Sequence, residues 1–218
     1  MSAGMGVHHQ GHAIKALQRT LCEALLTQPL DSIRVTRLCE QAQLSSMSFY
    51  THYENKYDLA RQVVMDEAEE HAERLFSLAR SQLQGVEGYD QKRYIRDSAV
   101  LFFERVSAEP TLYTCIFQDY LIPDAVSAFA HHATEKLNER FVFVRRGMAS
   151  QAYYEDFIME QSIIMLMNTA RYWSKRDFDL SATELANVYR DFYFNRMVDL
   201  HFTDERAEMI EVNITRNG

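Results

Sequence analysis

Long apolar runs are missing from the 218 residues: the nearest candidate is residues 163–167, IIMLM, against the roughly 18 residues a membrane-crossing helix requires. The N-terminal MSAGMGVHHQGH has neither the basic patch nor the apolar segment of a secretory signal, so a cytoplasmic location and no membrane partner are expected. Cysteine is scarce. Cys22, Cys39 and Cys115 are odd in number and far apart, which excludes a disulfide scaffold or a zinc cluster built on close pairs. Each sits on an apolar helical stripe and is expected as a reduced core thiol. Proline is equally sparse, and Pro29, Pro110 and Pro123 each fall where a helical pattern stops.

Catalytic signatures are absent too. No glutamate has a histidine three residues later, as a carboxylate-bridged di-metal bundle would need, and there is no His-Glu-x-x-His, phosphate loop or Gly-x-Ser-x-Gly elbow. His8, His9 and His12 belong to an expected flexible arm, and His131 with Glu135, one helical turn apart, is expected as a surface pair. The chain is expected to be no enzyme, with no cofactor and no metal.

An excess of positive charge is also lacking, since the net charge is −8. Its distribution is uneven. Residues 1–60 carry five basic side chains (Lys15, Arg19, Arg34, Arg37, Lys56) and five acidic ones, so the whole deficit lies beyond residue 60. A neutral module on an acidic body fits a small DNA-facing unit better than a uniformly acidic chain would.

Apolar periodicity predicts an all-α fold of about nine helices. Ile14, Leu17, Leu21 and Leu25 mark one stripe before Pro29; Val35, Leu38, Cys39 and Ala42 mark a second, short helix; Phe49 and Tyr53 share a face of a third, capped by Ser45. Asn55 with Asp58 opens a long fourth helix ending near Gly85 and Gly88. Further helices are predicted over 92–108, 111–120, 124–144, 153–174 and from the capping box Ser181-Ala182-Thr183-Glu184. Residues 141–144, FVFV, have strand propensity, but with no partner strand visible they are taken as a helix end.

Two short helices across a tight turn, backed by a first helix, have the form of a helix-turn-helix. Here the sequence resembles a family. Residues 13–60, through Ile33-Arg34-Val35, Leu38-Cys39-Glu40-Gln41-Ala42, Phe49-Tyr50-Thr51-His52-Tyr53 and Asn55-Lys56-Tyr57-Asp58-Leu59, are similar to the DNA-binding domain of TetR-family transcriptional regulators. By motif the resemblance covers about a quarter of the chain, and the rest is alike in length and helical layout. It implies that Tyr50, Thr51 and His52 line the recognition helix, that Ser46, Met47 and Ser48 enter the major groove, and that Phe49 and Tyr53 face inward. It also implies that Lys56 meets a backbone phosphate beside free N–H groups at the start of the fourth helix. Departures are Gln43 where the turn usually has glycine, Ser46 in place of a basic residue, and Arg34 in place of threonine. A left-handed backbone would cost more at Gln43, so a turn of different build is expected there. Arg34, beside Thr36 and Arg37, is expected to take over part of the phosphate binding.

The domain organisation expected is an arm over 1–12, the helix-turn-helix over 13–60, a ligand-binding and dimerisation domain over 61–203, and a tail over 204–218. The resemblance implies a homodimer through the last two long helices, a palindromic double-stranded DNA operator, repression as the usual mode, and a small-molecule effector, apolar or aromatic in character. Candidates to line its pocket are Phe102, Phe103, Tyr113, Phe117, Met165, Met167, Tyr172 and Trp173. The competing expectation is an all-α ligand or protein adaptor whose helix-turn-helix no longer reads DNA, favoured by the neutrality of residues 1–60.

Overall fold

The structure, a computed structural model, describes residues 3–84, 90–139 and 151–195, with no side-chain account of residues 3–12, 83, 151–156 and 194–195. Nine α-helices and one 3-10 turn, and no strand, occur among the described residues. They are α1 (Ala3–Leu25), the turn Leu30–Ser32, α2 (Val35–Gln41), α3 (Ser46–His52), α4 (Lys56–Gln84), α5 (Gln91–Ala108), α6 (Pro110–Phe117), α7 (Ala125–Asn138), α8 (Gln151–Ser174) and α9 (Ala182–Asn195).

The helix starts follow local side-chain chemistry. Ser45 Oγ accepts from Ser48 N at 3.0 Å. Asn55 Oδ1 accepts from Tyr57 N and Asp58 N at 2.9 and 3.0 Å, while the Asp58 carboxylate reaches back to Glu54 N at 3.2 Å. Asp90 caps α5 through Arg93 N at 2.8 Å. Ser181 and Glu184 bond reciprocally, Ser181 N to Glu184 Oε2 at 2.9 Å and Glu184 N to Ser181 Oγ at 3.2 Å, which is the predicted capping box. Pro110 occupies the first turn of α6, where no N–H is needed.

One expectation changes. Residues 3–12, expected as an arm, have helical backbone continuous with α1, because extending an existing helix avoids the cost of nucleating one. Residue 60 lies within α4, which runs unbroken for 29 residues, in keeping with the long fourth helix predicted from Asn55. The patch 141–144 and the tail 204–218 lie outside the described residues.

One apolar core runs through the molecule, from Leu17 and Leu21 on α1, through Leu38 and Phe49 of the short helices and Leu59 to Val64 on α4, to Trp173 and Tyr189. α4 packs chiefly on α7, α5 on α9, and α7 on α8, while α1 lies against α2, α4 and α6. The helix-turn-helix is thus held by α1 and by the start of α4.

Candidate nucleic-acid interface

The turn between α2 and α3 is built as a glycine-type helix end without glycine. Leu44 N bonds to Cys39 O at 2.8 Å and Gln43 N to Glu40 O at 3.2 Å, and Gln43 has φ 56°. This is the Schellman pattern with Gln43 in the left-handed position. The expectation of a differently built turn is therefore overturned: the paired carbonyls of α2 and the half-buried Leu44 behind the turn outweigh the Cβ crowding.

α3 divides cleanly into two faces. Phe49 and Tyr53 are buried, packed ring to ring at 5.6 Å. On the opposite side Met47 and Tyr50 are 82% and 60% exposed, with Thr51 and His52 also exposed. Met47, Tyr50 and Thr51 stand at i, i+3 and i+4, one stripe of the helix. Thr51 Oγ1 is turned back onto Met47 O at 2.9 Å, which occupies the hydroxyl within the helix. Ser46 and Ser48 are half-buried. Burial raises the proton affinity of the Cys39 thiol, an effect the nearby Ser46 hydroxyl partly offsets.

Arg34 holds the N-cap position of α2 with extended backbone (φ −98°) and no side-chain cap bond. It, Thr36 and Arg37 are exposed. The start of α4 is different from expectation. Its N–H groups at Tyr57 and Asp58 are taken by Asn55, so the expected open anion site is filled by the cap. Lys56 Nζ donates to Asp31 O at 2.7 Å and Ile33 O at 3.0 Å, and it stands 5.3 Å over the Tyr57 ring. Tyr57 Oη donates to Asp31 Oδ1 at 2.8 Å. An ammonium has three donors, so two hold the chain together and one remains for an outside acceptor.

The eight pocket candidates differ in their placement. Phe102, Phe103, Tyr113, Phe117, Met167 and Trp173 are buried in mutual packing, with edge-to-face contacts such as Phe102 to Tyr113 at 5.6 Å and Phe103 to Trp173 at 5.8 Å. Met165 is half-buried, and Tyr172 is a surface residue, 65% exposed. Periodicity marks such residues as apolar-facing, but whether that face is filled by protein depends on the neighbouring helices.

Sequence reasoning missed the polar centre of the body. Glu67 on α4, only 5% exposed, receives Arg105 Nε and Nη2 of α5 at 2.8 and 2.7 Å and Tyr113 Oη of α6 at 2.8 Å. Arg105 also meets Glu109 at 3.3 Å. The bond to Glu67 holds the guanidinium charged, and burial with the Glu67 charge pushes the Tyr113 phenol well above its ordinary range. Glu67 and Arg105 form part of the wall of a polar cleft of about 300 Å³ between α1, α4 and the α5–α6 junction, lined also by Ile14, Lys15, Gln18, Cys22 and Asp66. The partners lie 38 and 46 positions from Glu67, so no local pattern signals them.

His131 is a surface residue whose Nε2 lies 3.6 Å from Glu135 and whose Nδ1 lies 3.4 Å from Glu160. The three cysteines are free and buried. Among the described residues there is no cluster of three or more groups fit to hold a metal, and no helix long and apolar enough to cross a membrane.

No protein-family model matches the sequence, and no curated protein matches it. Solved structures do. The transcriptional regulator FadR from Bacillus subtilis, in complex with stearoyl-CoA, superposes with a TM-score of 0.58 at 13% identity over 86% of this chain and 98% of that one. The fatty acid degradation regulator FadR from Bacillus halodurans gives a TM-score of 0.55 at 13% identity, over 84% and 96%. At that identity the likeness is one of fold: the chain shares the all-helical architecture of these two proteins.

Proposed function

We propose that the protein is a ligand-responsive, DNA-binding transcriptional regulator of the TetR type, acting as a homodimer on a palindromic operator, with repression as its mode. One observation carries this reading: α3 buries Phe49 and Tyr53 while leaving Met47, Tyr50, Thr51 and His52 exposed on a short helix with no protein partner on that side. Met47 and Tyr50, 82% and 60% exposed, stand together on one stripe of α3, and an exposed apolar patch rimmed by polar residues is the kind of surface that marks an interaction site. Arg34, Thr36 and Arg37 at the start of α2, and the third donor of Lys56, supply phosphate contacts, while Ser46 and Ser48 border the base-reading stripe. The dimer forms through α8 and α9, whose outer faces present Phe157, Tyr172, Val188 and Phe192, each about half exposed or more. The effector is an apolar or aromatic small molecule taken up by the helical body, a reading to which the stearoyl-CoA held by the Bacillus subtilis regulator adds support.

A mobility-shift assay on DNA flanking the protein's own gene tests the reading. A retarded band on a fragment with a two-fold symmetric sequence, weakened by Tyr50→Ala, is the expected result, together with a dimer in sedimentation at micromolar concentration. Failure to shift any fragment, from a folded dimer, would leave the adaptor as the correct function.

A further inference from the structure

The polar cleft of about 300 Å³ between α1, α4 and the α5–α6 junction has walls of opposite charge. On the α1 side stand Lys15 and Arg19, one helical turn apart and both exposed. On the α4 side stand Asp66 and Glu70, also one turn apart and half-buried. Like charges at that spacing disfavour each helix, yet the walls do not close on one another. Lys15 and Arg19 make neither a hydrogen bond nor an ion pair among the described residues. Asp66 is held by neutral amides, accepting from Gln18 Nε2 at 2.7 Å and Gln62 Nε2 at 2.5 Å. The Gln18 bond runs from α1 to α4, so a neutral bridge, and no ion pair, sets the width of the gap.

Glu70 is anionic at this wall. Burial works to raise its carboxyl, but its bond to Arg74 and the charges of Arg105, Arg74 and Lys15 outweigh that and hold the group below its ordinary range. Deeper in, Glu67 and Arg105 are occupied with each other and with Tyr113 and Glu109. Ile14, Val63 and Leu112 add apolar surface to the lining. A volume of about 300 Å³ equals that of roughly ten waters and stands at the lower end of small-molecule pockets. A simple cation there would leave Lys15 and Arg19 unanswered, and a simple anion would meet Asp66 and Glu70. A gap held open between opposite charges is matched by a small molecule that carries both.

We propose that this cleft binds a free α-amino acid with an apolar side chain, its carboxylate on Lys15 and Arg19, its ammonium on Asp66 and Glu70, and its side chain against Ile14, Val63 and Leu112. A guanidinium can take a carboxylate through two parallel N–H bonds, and an ammonium brings three donors to the two acids. Since α1 backs α2 and also lies against α4 and α6, the bound amino acid fastens the helix-turn-helix to the body. The binding is independent of whether the chain reads DNA and of the apolar effector proposed above.

Titration calorimetry of the full-length protein with leucine, methionine and phenylalanine tests this, each set against the matching amine that lacks the carboxylate and the matching acid that lacks the ammonium. For phenylalanine these are phenethylamine and phenylpropanoate. At least one amino acid should bind, with both of its analogues weaker by about tenfold or more. At about a hundredfold excess over Kd the amino acid should raise Tm by about 5–10 °C. The double variant Lys15→Ala with Arg19→Ala, at two exposed and unbonded positions, should bind the amino acid about tenfold more weakly and the amine as before. Asp66→Asn should weaken the amino acid and leave the acid analogue as before. No heat from any of the three at millimolar concentration, an amine or acid that binds as tightly as its parent, or an amino-acid affinity unchanged in both variants would overturn the proposal.

Discussion

Replacing Arg105 with methionine removes the cation that faces Glu67 while keeping most of the side-chain volume. Glu67 would then retain Tyr113 Oη at 2.8 Å and lose the two guanidinium bonds at 2.8 and 2.7 Å. Breaking a buried pair from one side typically costs ~3–5 kcal/mol, because a charge is left without its partner. The cleft wets one edge of this pair, since Glu67 and Arg105 both line it, which puts the expected loss at the lower end, ~3 kcal/mol. For a chain of this length that is a fall in Tm of roughly 6–12 °C. Adding Glu67→Gln should recover most of it: the amide carries no charge to strand, and its carbonyl still accepts from Tyr113. Urea denaturation of the wild type, both single variants and the double variant gives the coupling energy directly. A single variant within ~1 kcal/mol of wild type, or a double variant no more stable than Arg105→Met, would refute the assignment of this pair as the polar anchor of α4, α5 and α6.

Gln43→Gly should stabilise the protein by ~1 kcal/mol in the same denaturation assay, since the left-handed turn no longer crowds a Cβ. His71 is held neutral by burial, and secondarily by Arg74, with its pKa pushed down to about 3; its contribution is therefore complete above the unfolded-state value near 6.5 and is lost as pH falls toward 3. The loss should approach ~1.4 kcal/mol per pH unit in that window, and His71→Phe should flatten it when stability is measured between pH 5 and 7. At the operator, Met47→Ala should abolish sensitivity to deoxyuridine at one thymine of each half-site, as α3 carries no arginine or lysine to read guanine; binding that ignores every uridine but collapses on G·C inversion would count against it.

Helix number and order were legible because the apolar stripes and caps act within one or two turns: Ser45, Asn55 and the Ser181–Glu184 box each bond inside four residues. The inward and outward faces of α3 were legible for the same reason. What could not be read depends on distant partners. Lys56 finds Asp31 and Ile33 by way of the fold, and the ring contacts of Phe102 with Tyr113 and of Phe103 with Trp173 join separate helices, which no helix's own spacing announces. Gln43 shows a subtler limit. Residue type argued against a left-handed turn, yet the backbone bonds of Leu44 and Gln43 decided its geometry.

The unbroken course of α4 has a mechanical consequence. Twenty-nine residues at 1.5 Å each make a rod ~43 Å long, with the seat of α3 at one tip and the α7 contact along its shaft. A tilt of about 5° around the Gln84 end sweeps the Asn55 end through ~4 Å, more than the roughly 3.4 Å rise of one base-pair step. Gearing of that ratio means that, on the proposed function, a small displacement in the body is enough to take a recognition helix out of step with its groove.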